Sequence, residues 1–167
     1  MAQRFPILVA TDGSGDATDA VEAVTVFPWP AGTRVHGVVV RNTADLVDVP
    51  AEVWTQIEEG FVAVAEGARK ALGRRWPDPE VRVVGGPIVD AILARARQVG
   101  ARVIVLGSRG HGPIARLLVG STSLGVARRM TRANVFVPEN VRALLQLPCR
   151  ARQRHHAGAD RIHSEFS

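Results

Sequence analysis

Two short segments hold the residue types and spacings that could bind or transform a ligand. The first is Thr11-Asp12-Gly13-Ser14; the second begins Gly107-Ser108-Arg109-Gly110-His111-Gly112 and runs on to Gly120-Ser121-Thr122-Ser123. Three glycines in six positions let a backbone turn sharply or come close to a bound group, because glycine alone reaches positive φ without steric cost. A helical pattern opens at Gly120-Ser121. Its first amides are unpaired donors at a positive dipole end, and the hydroxyls of Ser121, Thr122 and Ser123 add donors there. That combination suits an anion, phosphate above all, while Asp12 can accept hydrogen bonds from hydroxyl or amino groups. Each feature also has a purely structural reading: a glycine turn, Ser121 as a helix cap, Asp12 bracing its own turn. Spacing alone does not separate the two.

Other chemistries are excluded more firmly. No G-x-x-x-x-G-K-[ST] loop of a P-loop hydrolase is present, the glycines do not open the chain as a dinucleotide fingerprint would, and no G-x-S-x-G elbow occurs. His111 has neither a carboxylate nor a second histidine at metal-binding spacing, and the pair His155-His156 reads as solvated. The single cysteine, Cys149, forms no internal disulfide and no cysteine metal cluster by itself.

The elements that must position these loops are visible as alternation. Five β-branched runs, at residues 5–10, 34–41, 80–84, 102–106 and 134–137, are flanked by Gly, Pro, Asp or Asn. Every gap between them exceeds the dozen or so residues that a parallel crossover needs. The gaps also carry helical stripes. Trp54, Ile57, Phe61, Val64, Ala68 and Leu72 recur at spacings of three and four. Ile88, Ile92, Ala96 and Val99 follow Pro87 and stop at Gly100. A shorter helix spans about residues 16–27 before Pro28-Trp29-Pro30, and Leu124, Ala127 and Met130 set the core spacing of another. The fold class is therefore α/β, with a mostly parallel sheet and helices on its faces. In such a sheet the ligand crevice lies beyond the carboxyl ends of the strands where strand order reverses, and the two loops follow the first and fourth strands.

Composition bounds the rest. The chain of 167 residues is 46% hydrophobic and 22% charged, the size of one domain at residues 1–138 followed by a tail at 139–167 in which the pattern fails. No apolar run approaches the roughly 18 residues of a membrane span, and residues 6–10 are too short for an export signal, so the expected setting is cytoplasmic. The net charge of +5 raises the question of nucleic acid. Twenty of the 21 basic residues are Arg, no Tyr occurs, and the basic strip of Arg128-Arg129, Arg132, Arg150, Arg152 and Arg154 has no aromatic residue interleaved, so a nucleic-acid reading rests on charge alone and surface solvation is the expected account.

With these residues in view, residues 5–137 resemble the universal stress protein family. The likeness rests on Ile7-Leu8-Val9-Ala10-Thr11-Asp12-Gly13-Ser14, on Val105-Leu106-Gly107-Ser108-Arg109-Gly110-His111-Gly112, and on the spacing G-x2-G-x9-G-[S/T], met by Gly107, Gly110, Gly120 and Ser121. The resemblance implies an open five-stranded parallel sheet of order 3-2-1-4-5 with helices on both faces, of the adenine-nucleotide alpha-hydrolase-like kind. It also implies ATP, accompanied by Mg2+, across the carboxyl ends of the first and fourth strands. By the same resemblance Ala10, Thr11, Asp12 and the backbone of Val40 surround adenine and ribose. Leu106 and Gly107 lie by the ribose, and Arg109, Gly110, Gly120, Ser121, Thr122 and Ser123 meet the phosphates. A homodimer through the last strand is implied too, although Arg132-Ala133-Asn134 stands where family members usually carry a Cys-Pro pair.

The leading expectation is a nucleotide-dependent stress-response or signalling module with unidentified protein partners and no dedicated catalytic site. No Walker lysine, positioned general base or metal cage is visible, which leaves slow ATP turnover as the catalysis to test. Two alternatives stand beside it: a nucleotide-independent dimeric interaction protein, and a nucleotidyl-transferring enzyme of related architecture. The second lacks the S-G-G-x-D-S or H-x-G-H signatures after its first strand.

Overall fold

The computed structural model describes residues 4–42, 50–107, 121–130 and 134–136. Its elements alternate: β1 (Phe5–Ala10), α1 (Gly15–Val26), β2 (Thr33–Arg41), α2 (Ala51–Leu72), β3 (Glu80–Gly85), α3 (Ile88–Val99), β4 (Val103–Leu106), α4 (Ser121–Arg129) and β5 (Asn134–Phe136). All strand pairings are parallel. Four strands in the order β3-β2-β1-β4 carry the described core, and the three-residue β5 pairs with the outer edge of β4.

Parallel crossovers are right-handed, so the direction of each step across the sheet fixes the face its helix occupies. The chain steps one way from β1 to β2 to β3, and α1 and α2 both lie on one face. It then steps back across β1 to β4 and outward to β5, and α3 and α4 lie on the other. The strand residues divide accordingly. Ile7, Val9, Val35, Val39, Val103 and Val105 pack with Val21, Val24, Ala68 and Leu72. Leu8, Ala10, Val38, Ile104 and Leu106 pack with Ile92, Leu93, Ala96 and Val126. Strand side chains alternate between faces, so a sheet covered on both sides must be apolar at successive positions, and β4 is buried at all four.

Two helices depart from the expected phase. In α4 the buried residues are Ser123 and Val126, whereas Leu124 is 40% exposed and Ala127 is exposed. Counting apolar residues misplaced this face because its central contact is polar, as described below. In α3 the stripe holds at Ile92 and Ala96, but Ile88 is exposed and Arg95 is buried. Arg95 is accommodated by Glu80 at the start of β3, whose carboxylate accepts from Arg95 Nη2 at 2.6 Å and from Arg82 Nε at 2.6 Å. His36 Nδ1, in register across the β2–β3 pair, lies 3.1 Å from the same carboxylate. Among the described residues Arg95 Nε is buried with no partner.

Burial pushes the Glu80 carboxyl upward, but the bonds from His36 and Arg95 and the charges of Arg95 and Arg82 outweigh it, holding it below the ordinary value of 4.5. A carboxylate held below its unfolded value contributes stability above that value and loses it as pH falls through the folded one. We therefore expect Glu80→Gln to lower the urea midpoint at neutral pH, because it removes the anion beside a buried guanidinium. The gap from the wild type should begin to close as pH falls below 4.5, where the unfolded chain takes up the proton first, and vanish once pH is below the lowered native value. A gap that stays constant with pH would show that the charge of Glu80 does not hold Arg95.

Candidate functional site

The site begins with the seam between β1 and β4. The register pairs Ile7 with Val103 and Ala10 with Leu106, so the two strands end side by side. Beyond Ala10 the chain turns through Thr11-Asp12-Gly13-Ser14 into α1. Thr11 N–H donates to the Val38 carbonyl at 3.0 Å, which extends the β1–β2 ladder by one bond. Gly13 N–H donates to Thr11 Oγ1 at 3.2 Å, and Ser14 N–H donates to Asp12 Oδ1 at 3.0 Å. Ser14 caps α1, its Oγ accepting from Ala17 N–H at 3.4 Å. The turn requires Gly13, whose φ of +80° is left-handed and whose added Cβ would come within 2.7 Å of Val64 on α2.

Thr11 and Ser14 are buried in this arrangement, and Asp12 is exposed. Both structural and ligand roles thus remain open to Asp12: one oxygen braces the turn, and its exposed carboxylate has lone pairs left over. Val40 lies at the carboxyl end of β2, partly buried. Alternate residues of a strand present their backbone groups to alternate edges. Since the Val38 carbonyl meets β1, the backbone of Val40 faces the same way, past the last ladder pair Ala10–Val38.

On the β4 side, Gly107 answers a steric demand. A Cβ there would lie 2.9 Å from the backbone N and Cα of Ala17 and 3.1 Å from the carbonyl carbon of Asp16, so only glycine lets the end of β4 pass the first turn of α1. Its carbonyl accepts from Ser123 Oγ at 2.9 Å, and Ser123 is almost wholly buried. Gly107 is therefore clamped between the starts of two helices. Ser121 is exposed and Thr122 partly so at the first positions of α4.

The structure thus brings together Ala10, Thr11, Asp12, Val40, Leu106, Gly107, Ser121, Thr122 and Ser123. Arg109, Gly110 and Gly120 lie outside the described residues, as do His111 and the tail at 139–167. Ser123 spends its hydroxyl proton on Gly107, which leaves its backbone amide for any ligand. Sequence reading missed a neighbouring cluster at the end of β2. Arg41 forms an ion pair with Glu58, and its guanidinium lies 5.6 Å over the Trp54 ring. The signal was the i, i+4 spacing of Trp54 and Glu58 on one helix face, masked because Trp54 also fits the core stripe.

These features define a doubly wound parallel α/β domain with two helix starts facing one crevice. Comparison with known proteins narrows that class. The profile of the Universal stress protein family matches residues 4–137, and the chain belongs to that family. A universal stress protein of Mycolicibacterium smegmatis is 31% identical, over 77% of this chain and 44% of its own length, so this chain spans less than half of that relative. A solved universal stress protein in complex with cAMP is 25% identical, with a TM-score of 0.60 over 81% of this chain and 97% of the other. A family member from Burkholderia pseudomallei, 24% identical, has a TM-score of 0.63 over 83% and 98% of the two chains and shows the shared fold.

Two substitutions test the clamp on Gly107. Gly107→Ala should cost about 1–3 kcal/mol, because the methyl meets backbone that cannot swing aside. Ser123→Ala should cost about 1 kcal/mol by leaving a carbonyl without its donor. Both are read from urea unfolding monitored by circular dichroism, and a Gly107→Ala protein as stable as the wild type would contradict the packing described.

Proposed function

We propose that this chain is an adenine-nucleotide-binding member of its family, a nucleotide-dependent stress-response or signalling module of the cytoplasm that pairs with a second copy through its last strand. The observation that carries the reading is that the turn after β1, the end of β4 and the start of α4 meet at one seam. Ala10 and Leu106 end side by side, and Gly107 ties the start of α1 to the start of α4. The spacing of Gly107, Gly110, Gly120 and Ser121 supports it, as does the solved relative in complex with cAMP.

In this reading ATP is the ligand. Asp12 accepts hydrogen bonds from ribose or adenine, Ala10, Thr11 and the Val40 backbone border the base, and Leu106 and Gly107 border the ribose. Arg109, Gly110 and Gly120 with the first amides of α4, at Ser121, Thr122 and Ser123, receive the phosphates. Such amides need no lysine to favour an anion, since unpaired N–H groups and the helix dipole already do so. Mg2+ would neutralise phosphate charge and be held by phosphate and water oxygens, as that ion usually is. Asp12 offers an exposed carboxylate at the seam. Residues that would activate water are not part of the proposal, so binding and release of nucleotide rather than rapid turnover is its working event.

Titration calorimetry of the purified chain with Mg-ATP and with cAMP tests this directly. The expected result is saturable heat with one or both, and none with either for Gly110→Val, whose side chain would fill phosphate space while circular dichroism stays unchanged. Undiminished affinity in the variant, or no heat from the wild type at millimolar nucleotide, contradicts the reading.

A further inference from the structure

The opposite end of the sheet carries a second surface. Arg4-Phe5 and Arg75-Trp76 are neighbours in the chain, and the fold sets further rings beside them. Four of the eight aromatic residues, Phe5, Phe27, Trp29 and Trp76, lie where the connections α1–β2 and α2–β3 and the start of β1 pass over the amino ends of the strands. They form one continuous strip with two guanidiniums. Arg75 lies 4.8 Å over the Trp76 ring and donates to the carbonyls of Thr25 and Phe27. Phe27 stands 4.5 Å from Trp29, Trp29 stands 6.5 Å from Phe5, and Arg102 lies 4.8 Å over the Phe5 ring.

A third cation stands beside the strip: Arg4 precedes Phe5 in the chain, and the Pro6 carbonyl accepts from Arg102 N–H at 2.8 Å. Arg4, Arg75 and Arg102 are all exposed, and the four rings are half-buried. Helix C-termini favour nearby cations, and that accounts for Arg75 at the end of α1. It does not account for Arg4, whose side chain makes no hydrogen bond or ion pair among the described residues.

We propose that this strip binds single-stranded nucleic acid. Bases stack on aromatic faces and guanidinium planes irrespective of sequence, and neighbouring arginines take the phosphates. An anionic membrane calls for apolar side chains that protrude, whereas Phe5, Trp29 and Trp76 pack against the core beneath them. An acidic peptide would use the arginines and leave the rings idle. The strip lies at the amino ends of the strands and the proposed nucleotide seam at their carboxyl ends, so the two proposals fail independently.

The test uses the full chain and a fluorescein-labelled 12-nucleotide oligouridylate at low salt. Two of the three tryptophans lie in the strip and the chain has no tyrosine, so binding should quench tryptophan emission as well as raise anisotropy. Affinity should fall with salt. Arg75→Ala/Arg102→Ala, with an unchanged circular dichroism spectrum, should weaken it at least tenfold and reduce the slope of log K against log salt by about 1.4, because two phosphates are no longer neutralised. Arg75→Lys/Arg102→Lys should keep the salt slope and lose part of the affinity, because ammonium replaces the charge and not the plane. Absence of binding by the wild type overturns the proposal. So does undiminished binding by the alanine pair, which would put the binding surface elsewhere, the tail included, and so does binding to phosphatidylserine vesicles without binding to the oligonucleotide.

Discussion

The parallel pairing of β1 with β4 is the contact on which the rest of the molecule depends. Until β4 arrives, β1 is an edge and the chain is a half-sheet covered on one face by α1 and α2. Four register pairs, Ile7–Val103 to Ala10–Leu106, turn β1 into a central strand and bring α3 and α4 onto the opposite face. The same step reverses the direction of travel across the sheet, and reversal is what opens a crevice: the connections leaving β1 and β4 pass to opposite faces and cannot cover the space between them. Packing and site geometry thus have one cause. Gly107 records it, since the close passage of β4's end against α1 leaves no room for a Cβ.

The two ends of the sheet differ chemically for a related reason. All helices run antiparallel to the strands, so their amino ends gather at the crevice and their carboxyl ends gather opposite. The crevice end is poor in side-chain cations among the described residues and rich in helix-start amides and hydroxyls. At the other end Arg69 donates to the Val81 carbonyl and Arg75 to carbonyls at the end of α1. Net charge therefore says little about the crevice, because among the described residues most arginines gather at the end where helix carboxyl ends favour cations.

Much of this was legible in the sequence where one rule dominates. Residues buried on both faces, such as Val103-Ile104-Val105-Leu106, must read as a continuous apolar run, and α2's long stripe admits only one face. The glycine spacing and the turn after β1 marked both halves of the seam, and the alternation of strands and helices put both at the point where strand order reverses. Legibility failed where polar contacts replaced apolar ones. Ser123 and Arg95 occupy interior positions because Gly107 and Glu80 satisfy them, and neither partner is near in sequence. The aromatic strip was invisible because Phe5 opens β1 while Trp29 and Trp76 belong to two separate connections, and only the sheet brings them together.

The central claim is that the β1–β4 seam is a nucleotide site. The most direct measurement is a backbone amide titration by NMR, following 1H–15N resonances as Mg-ATP is added. The account predicts progressive shifts at Thr11, Asp12, Gly13, Val40, Gly107 and Ser121, with Arg34, Glu80 and Arg102 unmoved at the other end of the same strands. Shifts confined to the amino ends, or none at saturating nucleotide, would contradict it.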